Sequence, residues 1–284
     1  MSARHGRWFA VLRSNTTAMI GLAITLLVLF GVTIGAELMP YSPVQMDLAN
    51  ILSPPSWIHP LGTDSFGRDV LTRVLFGGRV SLLISISGVA IATTTGTLTG
   101  MSAAYLRGLV DVCLMRFSDL LFAFPSFVLA LFLMVAMGFG IQNVALAIAL
   151  IYFPIFARLA RNMTLLVQQE PYVEAARLMG QSVPRILFRE ILPNIAAPLV
   201  VQASIGVAFG IVIEAGLSFL GLGVQPPTPS LGVIMADGRE YFVRAPWVLT
   251  LTGLTISVAL LGLNLLGDGV RDLTDPRLRQ QVDR

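Results

Sequence analysis

Apolar positions along the chain fall in long unbroken runs, not in the period-two alternation of strands or the narrow stripe of a soluble helix. The stretch FAFPSFVLALFLMVAMGF carries no charge. Six such runs are found: Thr17–Met39, Val80–Tyr105, Leu120–Gly138, Val144–Ala160, Ala196–Leu222 and Pro246–Leu266. Each has the length a helix needs to cross about 30 Å of hydrocarbon. The pattern predicts an all-α polytopic membrane protein with six transmembrane helices. Residues 17–39 are too long for the apolar core of a signal peptide and are followed by five more runs, so they are an anchor helix. The remaining divisions are a tail at 1–16, a loop at 40–79, a five-helix core at 80–268 containing a polar loop at 161–195, and a tail at 269–284.

Two polar intervals break the pattern. In EPYVEAARLMGQSVPRILFREILPN (170–194), Pro171 suits a first helical turn, with Glu170 and Glu174 near the positive end of the helix dipole. Gly180 fits the left-handed position past a helix end, and Ser182 can cap a second helix with Pro184 in its first turn. Two short helices broken at Gly180 result. Ala175 and Ala176 keep one face small, so a partner surface could come close to the backbone. Two readings stay open on physics alone: an amphipathic loop lying on the membrane, or a docking element. In the interval 40–79, PYSP and SPPSW exclude regular helix. LGTDSFGRDVLTRVLFGGR then places Phe66, Val70, Val74 and Leu75 on one face, with Thr63 or Asp64 able to start a helix and Gly77-Gly78 able to end it. This predicts a short amphipathic helix at the membrane interface.

Composition agrees with the pattern. Of 284 residues 55% are hydrophobic and 12% charged, where soluble domains carry about 25% charged residues. Mean hydropathy is +0.78 and the isoelectric point 9.5. All nineteen basic residues are arginine, and their placement orients the chain. With the N-terminus inside, fourteen lie in inner segments, among them Arg4, Arg7, Arg13, Arg158, Arg161, Arg177 and Arg271, and five (Arg68, Arg73, Arg79, Arg239, Arg244) in outer ones. The basic balance is therefore a topology signal and calls for no nucleic acid. Both termini and the loop 161–195 are expected in the cytoplasm. With no lysine, the chain cannot carry a Walker-type phosphate loop or a Schiff base.

Candidate chemistry within the runs is sparse. Glu214 falls well inside the fifth run, where an ionised carboxylate is costly and usually paired. It reads either as part of a substrate path or gate, or as an interhelical hydrogen bond or protonated acid at a contact with a partner membrane subunit. Arg116 with Asp119, and Asp268 with Arg271, are spaced for local ion pairs. Gly96 with Gly100 and Gly206 with Gly210 allow close helix packing, and Pro125 and Pro154 are expected to kink their spans. His5 and His59 read as solvated loop residues, and Cys113 has no disulfide partner, so no metal site is expected.

The polar loop also carries a resemblance. EAA, followed by Gly180 and by ILP at 191–193, resembles the EAA signature of ABC importer permeases, with Glu190 where the general pattern has isoleucine. Three further motifs, LGTDSFGRDVLTRVLFGGRVSL, EAGLSFLGLGVQPPTPSLG and LNLLGDGVRDLTDPR, are similar to the second permease subunit of dipeptide/oligopeptide/nickel importers. The resemblance implies a type I importer permease fold in the bacterial cytoplasmic membrane. It implies a homologous permease subunit, two cytoplasmic ATPase subunits that hold ATP and Mg, and an extracytoplasmic substrate-binding protein. No cofactor or catalytic residue is implied on this chain. The coupling helix would dock through Glu174, with Ala175, Ala176 and Gly180 shaping the fit and Leu192 and Pro193 closing the motif. Dipeptides are the first substrate expectation, ahead of longer oligopeptides, glutathione and nickel chelates. The rival classes are an ATP-independent channel or secondary transporter, which needs ionisable residues at mid-membrane, and an intramembrane enzyme, which needs a nucleophile with a base.

Overall fold

The computed structural model describes residues 16–274; the tails, with His5 and the terminal arginines, lie outside them. The described residues are all helix and connection, without a strand. In chain order the helices are α1 (Thr16–Phe30), α2 (Val70–Leu106), α3 (Gly108–Phe122), α4 (Ser126–Met137), α5 (Ile141–Val167), α6 (Pro171–Leu178), α7 (Leu192–Phe219), α8 (Leu231–Glu240) and α9 (Pro246–Thr274). Five stretches are long and apolar enough to span a bilayer: Thr16–Gly35, Val70–Leu106, Ile141–Val167, Val183–Phe219 and Pro246–Gly269. The bent pair α3–α4 is apolar enough only when taken together, and brings the spans to six if it is one broken span and not a re-entrant loop.

That pair corrects the expected third span. Pro125 does not kink a helix; it separates two, bent by 93°. Proline offers no N–H to the ladder and drives the residue before it out of helical backbone, so the chain stops at Phe122 and restarts at Ser126. Pro154, by contrast, sits inside a continuous α5.

The amphipathic interfacial helix is also corrected. Asp69 caps a helix that begins at Val70, its Oδ2 accepting from the Thr72 N–H at 2.8 Å and the Thr72 hydroxyl at 2.7 Å. This helix runs through Gly77-Gly78 without a stop and continues to Leu106. The two glycines serve packing instead. A Cβ on Gly78 would lie 2.9 Å from Val32, and one on Gly77 3.0 Å from the Ser230 backbone.

The core forms where α2 lies along α5 and both meet α7. Gly96 and Gly100 let α2 approach α5 closely: a Cβ on Gly100 would fall 2.2 Å from the Ala157 carbonyl oxygen. Helix α1 is peripheral, resting on α9 and the first turns of α2. Asp111 of α3 makes a two-pronged ion pair with Arg161 of α5, both contacts at 2.6 Å. Asp119 meets Arg158 at 2.5 Å, while its expected local partner Arg116 stands 3.8 Å away and exposed.

The bundle has two poles. One carries α6 and the ends of α2 and α5. At the other, residues 40–69 fold back over the start of α2 and against α8 and α9. Arg68 and Arg73, which the pattern places away from the apolar face of Phe66, Val70, Val74 and Leu75, are buried there. Asp64 accepts from Arg68 at 2.7 Å and from Arg73, and Asp237 of α8 lies 3.1 Å from both arginines. His59, expected to be solvated, is buried with Nδ1 2.9 Å from Asp69. Trp247 Nε1 donates to the Thr63 carbonyl at 3.3 Å. The 40–69 segment is thus tied to the start of α2, to α8 and to α9, not hung as a loop.

Candidate functional site

The EAA loop builds a small exposed platform from local rules. Pro171 stands in the first turn of α6, following Glu170 in extended backbone, and Glu174 lies in that first turn. Val173 and Ala176, three apart, are the buried face of α6 against its own chain. The helix ends in a Schellman arrangement: the Gly180 N–H donates to the Arg177 carbonyl at 3.0 Å and the Gln181 N–H to the Ala176 carbonyl at 3.1 Å. Gly180 has φ +70°, and a Cβ there would meet nothing within 4 Å. Its requirement is therefore conformational, not spatial.

Beyond Gly180 the backbone of Ser182 is extended and its carbonyl accepts from the Ile186 N–H at 3.1 Å, but its side chain makes no capping bond. Ser182 thus stands at the N-cap position expected of it, but its hydroxyl does not cap; the carbonyl bond is the first of the ordinary helical ladder. Residues Ile186–Ile191 wind as a wide π-type turn, with the Leu192 N–H reaching back to the Leu187 carbonyl. Pro193 explains it: without an N–H it cannot continue the ordinary ladder, and its ring crowds the preceding turn. Leu192 is half-buried and Pro193 exposed.

Arg177 fastens α6 to the bundle. Its guanidinium lies 4.9 Å over the Tyr105 ring at the end of α2 and donates to Gln168 Oε1 at 3.3 Å after α5. Tyr172 stands on the rim, its phenol pushed above the ordinary value of 10 by burial, then by the charges of Glu170 and Glu190.

The expected docking residues divide. Glu174 and Ala175 are exposed and Gly180 lies at the exposed end of α6, whereas Ala176 is 2% exposed and faces inward. Leu178 and Met179, which sequence reasoning passed over, are 84% and 71% exposed. Glu174 with Leu178, and Ala175 with Met179, are four apart, so these four share the face opposite the buried stripe. The signal was available: at 100° per residue, two large apolar side chains fall away from Val173 and Ala176 on a polar loop.

Glu214 lies at the other pole, in the last turns of α7, and is 0% exposed. Its Oε1 accepts from the Ser218 hydroxyl at 2.7 Å, and the Ser81 and Ser230 hydroxyls stand beside the same carboxyl. A contact with a partner permease is thereby corrected: the carboxyl is enclosed among α2, α7 and the start of α8 of its own chain. Among the described residues no cluster of three metal-ligating side chains is found.

Residues 96–280 match the family of binding-protein-dependent transport system inner membrane components, and residues 6–55 match the N-terminal transmembrane domain of oligopeptide transport permease C. The chain belongs to this permease family. It is 41% identical over 271 residues to the di/tripeptide transport system permease protein DppC of Pseudomonas aeruginosa, covering 93% of this chain and 89% of the relative. It is 40% identical to the dipeptide transport system permease protein DppC of Escherichia coli (94% and 91% covered). It is 41% identical to the glutathione transport system permease protein GsiD of Pectobacterium atrosepticum (96% and 90% covered). In fold it is similar to a chain of the MetNI methionine ABC transporter in an inward facing conformation, with a TM-score of 0.55 at 18% identity, covering 72% of this chain and 97% of that one. The all-α type I importer permease fold expected from the motifs is the fold observed. This permease is a multi-pass inner-membrane protein.

Proposed function

We propose that this chain is the second permease subunit of an ATP-driven importer of dipeptides. It would pair with a homologous permease, two ATPase chains that bind ATP and Mg, and an extracytoplasmic binding protein. The observation that carries the coupling role is the exposed face Glu174–Ala175–Leu178–Met179, fastened by Arg177 and the Gly180 turn and left uncovered among the described residues. Exposed leucine and methionine on an otherwise polar loop suit a groove on another protein, since monomeric surfaces seldom leave such residues bare without use. The arginine distribution supports a cytoplasmic position for this pole and for both termini.

Closure of the ATPase pair would then pull α6, and α6 moves with the ends of α2 and α5 through Arg177. ATP binding tilts a two-state membrane element by its differential affinity for the two states. The dipeptide assignment follows the relatives' names, and the glutathione permease at equal identity makes glutathione the second reading. The test is uptake by proteoliposomes containing both permeases and both ATPases, offered binding protein loaded with dipeptide, tripeptide or glutathione. ATP-dependent accumulation of dipeptide supports the proposal; preferential accumulation of glutathione favours the second reading. Uptake independent of ATP assigns the chain to the channel or secondary-transporter class instead.

A further inference from the structure

Three serine hydroxyls surround Glu214, and each has its oxygen engaged by a backbone N–H. Ser218 Oγ accepts from Val224 at 3.0 Å, Ser81 Oγ from Leu231 at 3.2 Å and Ser230 Oγ from Val233 at 3.3 Å. These N–H groups lie in the connection between α7 and α8 (Val224) and in the first turn of α8 (Leu231, Val233). Each hydroxyl is left with a proton to give. The Ser218 proton goes to Glu214 Oε1 at 2.7 Å. The Ser81 and Ser230 hydroxyls lie beside the same carboxyl, and its Oε2 is without a hydrogen bond in this structure. The Ser218 hydroxyl, giving its proton to Glu214 and accepting from Val224, thus links the buried carboxyl to the backbone of the connection.

The surrounding glycines fit the same purpose. A Cβ on Gly223 would fall 2.2 Å from Ser218 Oγ, and one on Gly232 2.3 Å from the Ala215 carbonyl oxygen, so both ends of the connection are pressed onto α7. Its middle forms one wall of an open cleft of about 320 Å³, lined there by Val224, Gln225 and Thr228 and across from it by the turn before α5 and the first turn of α5, including Gln142 and Asn143. The amides on both walls are anchored. Asn143 Nδ2 donates to the Met137 and Gly138 carbonyls, and Gln225 Nε2 to those of Gly221 and Gly223.

We propose that Glu214 is a positioning residue for this connection: by accepting from the Ser218 hydroxyl that holds the Val224 N–H, with Ser81 and Ser230 beside it, it fixes the wall of the cleft past which substrate enters. The proposal rests on the importer reading, which places this pole outside. Glu214→Gln keeps the shape but replaces one carboxyl oxygen by an NH2 donor and removes the carboxyl, weakening the bond that orients the Ser218 hydroxyl.

In the reconstituted complex, Glu214→Gln raises the apparent KM for loaded binding protein roughly tenfold, the size of one lost hydrogen bond to a charged group. It changes kcat and basal ATPase activity little. Ser218→Ala gives the same shift, and the double variant is no worse than either single one. A spin label at Thr228→Cys, in a Cys113→Ser background, becomes more mobile in both variants. Unchanged label mobility, or a fall in kcat with KM constant, overturns the positioning role. Absence of ATP-dependent uptake in the wild-type complex would instead sink the importer reading, so the two failures are separable.

Discussion

Replacing Gly180 by valine isolates the conformational demand of the EAA loop. The residue holds φ +70° with no atom within 4 Å of an added Cβ, so the substitution causes no collision. Its cost is that of left-handed backbone for a β-branched residue, about 1–2 kcal/mol. The strain is relieved by opening the two bonds that close α6, Gly180 N–H to Arg177 and Gln181 N–H to Ala176. Loss of that turn misaims Leu178 and Met179. The affinity of the permease pair for its ATPases should fall by roughly five- to thirtyfold, the equivalent of the strain, with ATP-dependent uptake falling in step and membrane insertion unchanged. Gly180→Asn is the control, because asparagine tolerates left-handed backbone; it should retain most of the affinity. Titration of purified ATPase onto permease pairs in nanodiscs reads both. Wild-type affinity for Gly180→Val, or equal loss in the asparagine variant, would refute the reasoning.

Other outcomes follow from single contacts. Arg73 is 2% exposed between Asp64 and Asp237, so Arg73→Met should destabilise the subunit by about 3–5 kcal/mol as an uncompensated buried charge is left. Asp237→Asn, at a carboxylate 29% exposed, should cost clearly less, and thermal denaturation of the two variants orders them. Gly100→Ala places a methyl 2.2 Å from the Ala157 carbonyl and should lower the yield of folded protein by forcing α2 from α5, an overpacking cost of about 1–3 kcal/mol. The Asp47 carboxyl is held below its ordinary 3.8 by the Asn50 side chain and then the Ala49 N–H. Because the folded value is the depressed one, this turn is intact above pH 3.8 and opens only as pH falls through the lower value. Amide exchange at Ala49 should show no change between pH 7 and 5.

Local chemistry made α6 legible in the sequence: Pro171 at its start and Gly180 at its end act over a few residues. The same logic misread Gly77-Gly78, since whether a glycine pair ends a helix or seats a neighbour depends on Val32 and Ser230, far away in the chain. The burial of Arg73 was not legible for a similar reason. Its partner Asp237 lies 164 positions on, and only the fold brings α8 over the start of α2. Pro125 was seen as a bend but not as a break, because proline reveals the lost hydrogen bond and not how far the next helix can swing. At the site itself the motif named Ala176, while helical geometry shows why Leu178 and Met179 take the exposed face.

The coupling account is tested most directly by cysteine cross-linking of adjacent positions on α6. With Cys113 replaced by serine, Ala175→Cys and Leu178→Cys should each cross-link to an ATPase subunit carrying a cysteine in its groove, with yields that change on ATP binding. Ala176→Cys should not, because that side chain faces its own bundle. Cross-linking at Ala176 but not at Ala175 or Leu178, or no ATPase adduct from any of the three in a complex competent for uptake, would contradict the account.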